Sequence, residues 1–111
     1  YYGSLTNASG AFAAINATAQ TGNAITITIS GSSTAETGAN SLNAGAWNTL
    51  TLYPIDTSIV ISGNVAGPLI NINGADNVIF DGRVDQLGAT DLTITNNSTS
   101  SSSTTSTNTY Q

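Results

Sequence analysis

The sequence predicts an all-β chain, a right-handed parallel β-helix (solenoid) of about three to four coils with an N-terminal capping α-helix. Three observations predict it. A helical apolar stripe opens the chain, strand-type alternation takes over after Gly22-Asn23, and the alternating polar-apolar-polar triplet recurs with first members at Thr26, Thr49, Asn71 and Thr93. The steps between them, 23, 22 and 22 residues, fall within the roughly 20 to 29 residues of a solenoid coil, in which each coil covers the apolar face of the one before.

The helix is read from Leu5, Ala8, Phe12, Ile15 and Ala19, spaced by alternating threes and fours on one face. It is placed near residues 7 to 19, with Ser4 or Thr6 as N-cap and Gly22 as the left-handed residue that ends it. Gly10 weakens its early part. Ile25, Ile27 and Ile29 then alternate with Thr26, Thr28 and Ser30, a strand with one buried face. Thr49-Leu50-Thr51-Leu52, Leu69-Ile70-Asn71-Ile72-Asn73 and Leu92-Thr93-Ile94-Thr95 repeat the pattern. A second, less regular set, Ser58–Ser62 and Val78–Phe80, is followed by turn signals at Gly63-Asn64 and Asp81-Gly82. Thirteen residues are expected to face one interior: Ile25, Ile27, Ile29, Leu50, Leu52, Ile59, Ile61, Ile70, Ile72, Val78, Phe80, Leu92 and Ile94. The segments are 1–22 for the cap, 23–96 for the coils and 97–111 for a Ser/Thr-rich tail or linker. A pilin-type β-sandwich would also suit six short strands. The regular step favours the solenoid.

Composition narrows the function. The 111 residues suffice for one domain. Only 6% are charged, against roughly 25% in ordinary soluble domains, and 18 Thr, 14 Ser and 13 Asn carry the polar surface. The net charge of -5, with Arg83 the one basic side chain, disfavours nucleic acid and electrostatic attachment to anionic lipid. No apolar run approaches the roughly 20 residues that span a bilayer, and no signal-like segment precedes Tyr1, so the chain reads as a mature segment. Without cysteine or histidine there is no thiolate site, no disulfide and no histidine base or metal ligand. Hydroxyl and amide dominance with no lysine points to a secreted, extracellular or cell-surface setting.

Candidate sites follow from the same residue types. Asp76, Asp81, Arg83 and Asp85 concentrate the charge, as in acidic lyase sites, yet Gly74–Asn77 and Asp81-Gly82 also read as tight turns in which Asp and Asn bond their own backbone. Asp76, Asp81 and Asp85 are the weak calcium candidates, since that ion takes oxygen ligands, but EF-hand spacing is missing. No catalytic or cofactor residue is assigned, and the chain is not expected to be an enzyme. Stacked coils about 4.8 Å apart would present Thr26, Thr28, Thr49, Thr51, Asn71, Asn73, Thr93 and Thr95 as a flat surface ladder, a grid suited to ice or crystalline polysaccharide. Its plainer reading is β-prone Thr on a solvated face. Trp47, Tyr53, Tyr1, Tyr2 and Tyr110 could form a sugar-stacking platform, although Trp47 and Tyr53 read as packing against loops. Asn7, Asn16, Asn96 and Asn97 match the N-glycosylation sequon, a match common in so Ser/Thr/Asn-rich a chain.

Several stretches resemble a domain of very large secreted and surface proteins of the Bacteroidetes. They are Ser4-Leu5-Thr6, Gly10–Asn16, Thr21-Gly22-Asn23, Ile61–Asn64 and, most specifically, Leu69-Ile70-Asn71-Ile72-Asn73-Gly74-Ala75-Asp76-Asn77-Val78-Ile79-Phe80-Asp81-Gly82-Arg83. The resemblance covers about Ser4 to Asn97 and implies a pectin-lyase-like right-handed β-helix with adhesive or structural duties and no catalytic residues to carry over. The expectation is therefore a structural or adhesive module, a building unit of a large adhesin or filament. Its expected partners are further coils of the same polypeptide, copies of itself, and glycans. A carbohydrate- or ice-binding solenoid and, after it, a polysaccharide lyase are the alternatives.

Overall fold

The computed structural model of the chain describes residues 1–99. One helix, α1 (Ala11–Ala17), precedes eight strands: β1 (Ala24–Ile29), β2 (Ser33–Glu36), β3 (Leu42–Asn43), β4 (Thr49–Pro54), β5 (Ile59–Gly63), β6 (Ile72–Asn73), β7 (Val78–Phe80) and β8 (Leu92–Asn96). A single 3-10 turn, Val84–Gln86, lies between the last two. The strands form three sheets, ordered β1-β4-β7, β2-β5-β8 and β3-β6, and none closes into a barrel. All five strand pairings are parallel. Two isolated bridges, Asn43 with Gly74 and Arg83 with Thr90, are antiparallel. The chain thus visits the three sheets in a fixed order, does so again, and begins a third round.

Alternation explains the strands of the first sheet. Ile25, Ile27 and Ile29 pair in register with Leu50, Leu52 and Pro54, and Leu50 and Leu52 with Val78 and Phe80. Ile29, Leu50 and Leu52 share one core cluster with Leu5, Ala11, Phe12, Leu42, Trp47, Ile59, Ile61 and Ile70, and Ile25, Ile27 and Val78 pack against it. Of the thirteen residues expected inside, Ile29, Leu50, Leu52, Ile59, Ile61 and Ile70 are buried, and Ile25, Ile27, Ile72, Val78, Leu92 and Ile94 are half-buried against them. Phe80 is the exception, being 36% exposed.

The repeat of 22 to 23 residues is corrected by the pairing. Register partners lie 25 residues apart for Ala24 and Thr49, 28 for Leu50 and Val78 and for Ser33 and Ile61, 30 for Leu42 and Ile72, and 33 for Ile59 and Leu92. The triplets recur faster than the coil because they do not occupy equivalent places. Those at Thr26 and Thr49 belong to the first sheet, the one at Asn71 lies at the third, and the one at Thr93 belongs to the second.

The helix is shorter than residues 7 to 19. Its N-cap is Gly10, with no side-chain cap bond, and its C-cap is Thr18, in extended conformation. Neither Ser4 nor Thr6 caps it. Instead the segment before the helix folds back so that the Ser4 and Leu5 carbonyls accept the N–H groups of Ala11 (3.0 Å) and Phe12 (3.0 Å). That replaces a side-chain cap as the partner of otherwise orphaned donors. Gly10 is required there by a close approach: a Cβ would stand 2.8 Å from the Leu5 carbonyl oxygen. Gly22 does adopt the left-handed conformation, φ +73, but in the turn before β1 rather than at the helix end. α1 keeps Phe12 fully buried, a contribution of about 1.5–3 kcal/mol.

Candidate functional site

The eight-residue ladder is not one surface. Thr26 pairs with Thr51, and the next rung is Ile79; Thr28 pairs with Tyr53; Thr49 pairs with Ala24. Asn73 pairs with Asn43 in the third sheet, Asn71 lies beside it, and Thr93 and Thr95 pair with Val60 and Ser62 in the second. A strand's outward residues form a grid only with those of the strands beside it, and of the strands that carry the ladder only β1 and β4 are neighbours.

The acidic cluster resolves into separate local tasks. Asp81 holds Arg83 through two side-chain bonds, 2.9 Å to Nε and 2.7 Å to Nη2, and also accepts the Arg83 backbone N–H at 3.0 Å. The Arg83 guanidinium beside it lowers the Asp81 carboxyl to about 2. The Asp76 carbonyl accepts the Trp47 indole N–H at 2.8 Å. Asp91 accepts the backbone N–H of Ser58 at 2.7 Å, bridging β8's approach to the turn before β5. Asp85 sits in the left-handed region at φ 52 within the 3-10 turn. Among the described residues no group of three or more His, Cys, Asp or Glu side chains is placed to hold a metal ion.

The aromatic residues likewise lie apart. Trp47 is buried, Tyr53 half-buried, and Tyr1 and Tyr2 exposed. Tyr110 lies outside the described residues.

What the structure does bring together is the first edge of the three sheets, and the residues that organise it went unnoticed in the sequence. Glu36, on β2, is 3% exposed, and among the described residues it has no cationic partner. Its carboxylate instead accepts Ser4 Oγ (2.9 Å), Leu5 N–H (2.9 Å), Thr6 N–H (2.8 Å), Thr6 Oγ1 (2.5 Å) and Ser33 Oγ (2.7 Å). Burial pushes the Glu36 carboxyl up, but the hydrogen bonds from Thr6, Ser33 and the Leu5 and Thr6 backbone outweigh it and leave it below the ordinary carboxylate value. Gly63 of β5 lies against the Glu36 backbone so closely that a Cβ would collide with the Glu36 carbonyl and the Leu69 side chain.

Two asparagines complete the arrangement. Asn7 Oδ1 accepts the Thr37 N–H (2.8 Å) while its Nδ2 donates to the Ala35 carbonyl (3.2 Å). Asn16 Oδ1 accepts the Asn43 N–H (3.1 Å) while its Nδ2 donates to the Ser41 carbonyl (2.8 Å). Each carboxamide thereby satisfies a C=O and the N–H two residues later, the pair of groups that a backbone peptide of an adjoining parallel strand would engage. Two of the sequon asparagines thus stand in for a missing strand, one on the second sheet and one on the third. A third, Asn96, donates to the Val65 and Gly67 carbonyls, both at 2.9 Å.

Among the described residues the first sheet has no such surrogate. The Ile29 carbonyl faces β4, where it accepts Ile55 N–H (2.9 Å), so by alternation Thr28 and Thr26 direct their backbone groups to the other side. That side opens on a cavity of about 630 Å³ lined among others by Tyr1, Ile15, Ile25, Ile27, Thr28 and Glu36. At the opposite end, β7, β8 and β6 are the last strands of their sheets. They rim an apolar cavity of about 570 Å³ lined by Ile70, Ile72, Ala75, Val78, Phe80 and Ile94 together with Asp76 and Asn77.

In comparisons with known proteins, no family model, no curated protein and no solved structure matches the chain.

Proposed function

We propose that this chain is a structural or adhesive module of an extracellular surface, built as the helix-capped start of a right-handed parallel β-solenoid. One observation carries the reading: three parallel sheets are visited in a fixed order, two of them covered at the first edge by residues 4 to 17, and among the described residues the last edge lies over apolar side chains. A right-handed path is the one that parallel strands in a sheet take in about 98% of crossovers, and coils stacked in this way are stable only when both ends are covered. A stack that protects one end and leaves the other apolar suits a unit of a longer assembly. The resemblance of Leu69–Arg83 to the large Bacteroidetes surface proteins supports the same duty, as does a surface of hydroxyls and amides with little charge.

Catalysis is no part of this proposal: of the lyase candidates Asp76, Asp81 and Asp85, Asp81 is engaged by Arg83, and among the described residues the three do not form a cluster placed to hold a metal ion. The ice- or polysaccharide-binding alternative loses its regular Thr array at the third rung, Ile79. Electron microscopy of the native material on its source surface tests the proposal. Elongated assemblies containing this chain are expected; native material consisting of dispersed compact monomers would overturn it.

A further inference from the structure

We propose that β1 is an acceptor edge for one extended strand of a separate polypeptide, a segment with aliphatic residues at alternate positions and small hydroxyl residues between them. The inference goes beyond the module reading and does not depend on it.

The first edges of the three sheets are built differently. β2 has four residues, its pairing with β5 shifts register between Ser33 and Glu36, and Glu36 itself is a buried charge. β3 has two residues. Short edges, bulges and inward charges are devices that keep edge strands from pairing with other chains, and the Asn7 and Asn16 carboxamides add a cover at each of these two. β1 has none of these devices. Its six residues, Ala-Ile-Thr-Ile-Thr-Ile, hold β4 in unbroken register and include no proline and no charge. The Asn23 and Ile29 carbonyls accept the N–H groups of Asn48 (2.8 Å) and Ile55 (2.9 Å), on the β4 side. By alternation the N–H and C=O groups of Ala24, Thr26 and Thr28 point the other way, and all three residues are exposed. Among the described residues no strand pairs with that side.

The cavity beside this edge, about 630 Å³, is of the size of ligand sites, roughly 300–1,000 Å³, and its walls select the occupant. An added strand sets its inward side chains between Ile25 and Ile27 of β1 and Ile15 of α1, all apolar and half-buried. Its outward side chains lie beside Thr26 and Thr28. Glu36 also lines the cavity and disfavours a carboxylate at the inward positions. β4 meets the other side of β1 with this same alternation, Thr49-Leu50-Thr51-Leu52. In such strand addition the main-chain bonds supply affinity and the alternate side chains specificity. A second copy is a poorer occupant, because residues 4 to 17 lie beyond β2 and β3 at this end, and two copies joined at β1 would bring two such segments into one layer.

The test follows amide hydrogen exchange of the full chain, alone and with a blocked hexapeptide of the sequence of residues 48–53, Asn-Thr-Leu-Thr-Leu-Tyr. A scrambled peptide with its leucines adjacent is the control. Alone, the chain is expected to exchange the Thr26 and Thr28 amides freely. The alternating peptide should bind saturably and slow Ala24, Thr26 and Thr28; the scrambled one should do neither. Thr28→Pro removes a donor from the free side and no bond to β4, a place where edge strands accept proline. It should keep the circular dichroism of the wild type and weaken peptide binding on the order of tenfold or more. If Thr28→Pro does not fold, two N-methylated peptides decide the matter on the wild type, one methylated at the leucine amides and one at the threonine amides. Only one set of amides faces β1, so one peptide should bind and the other should not. The proposal is overturned by equal binding of the two methylated peptides or of the scrambled one, and by no binding of the alternating peptide. It is overturned as well if the Thr26 and Thr28 amides are already protected in the chain alone, whether by its own residues or by a second copy.

Discussion

Leu52 and Phe80 occupy one inward row of one sheet, paired in register, yet Leu52 is fully buried and Phe80 is 36% exposed. The same contrast holds between Ile61 and Ile94 and between Leu42 and Ile72, the first of each pair buried and the second half-buried. The side chains are comparable and the backbone pairing is the same. What differs is whether another layer lies beyond. Burial in this architecture is a property of position in the stack: Leu52 and Ile61 have a strand on either side, and Leu42 has β6 on one side and α1 packed on its strand.

The largest expected effect is therefore in the middle. Leu52→Ala should cost about 2–5 kcal/mol by removing a side chain packed on every side, measured as a shift of the urea midpoint at unchanged slope. Next comes the amino-terminal segment: Glu36→Ala leaves the buried N–H groups of Leu5 and Thr6 without an acceptor, and each such group costs about 1–3 kcal/mol. Exchange of those two amides with solvent should rise more than that of β4 amides. Phe80→Ala should be milder, on the order of 1 kcal/mol, since a third of the ring is in water already. A loss equal to that of Leu52→Ala would show that the last coil is covered in solution.

Acid sharpens the contrast between the ends. The Glu36 carboxyl titrates below the ordinary value in the folded chain, so the unfolded chain binds the proton more tightly. The stabilisation is fully present above the ordinary carboxylate pKa, about 4.3 for Glu, and is lost as pH falls through the lower folded value. Thermal unfolding midpoints should be flat from neutral pH to about 5 and fall below about 4. Glu36→Gln should flatten that fall. Asp81→Asn should change unfolding least, because the Arg83 side chain it pairs with is 48% exposed and pairs open to solvent contribute little.

Much of the fold was legible because alternation is a local signal. β1, β4, β5, β7 and β8 all lie within stretches that carry it. β2 and β3 were not legible: Ser33-Thr34-Ala35-Glu36 has no apolar alternation, and its inward residue is a carboxylate whose burial depends on donors some 30 positions away. The coil length was misjudged for a related reason. Similar triplets mark similar strands, but not the same side of the stack, and side is decided by the turns between them. Nothing in the Asn7 and Asn16 sequons reveals that each amide completes a strand edge. The one available signal was Glu36 itself, a lone charge within an uncharged run from Tyr1 to Ile55.

The spacing of register partners, 25 to 33 residues, also bears on how the chain finds its structure. Every rung requires a loop of that length to close before its first interstrand bond forms, and closure entropy grows with loop length. Contacts so distant in sequence make for slow folding relative to helical chains of equal size. The first closure, β4 onto β1, has no preformed edge to land on and is the kinetic bottleneck; β7 then adds to a strand already held in place. Folding should proceed as nucleation followed by growth from the amino-terminal side, with β1 and β4 amides the first protected and those of β7 and β8 the last.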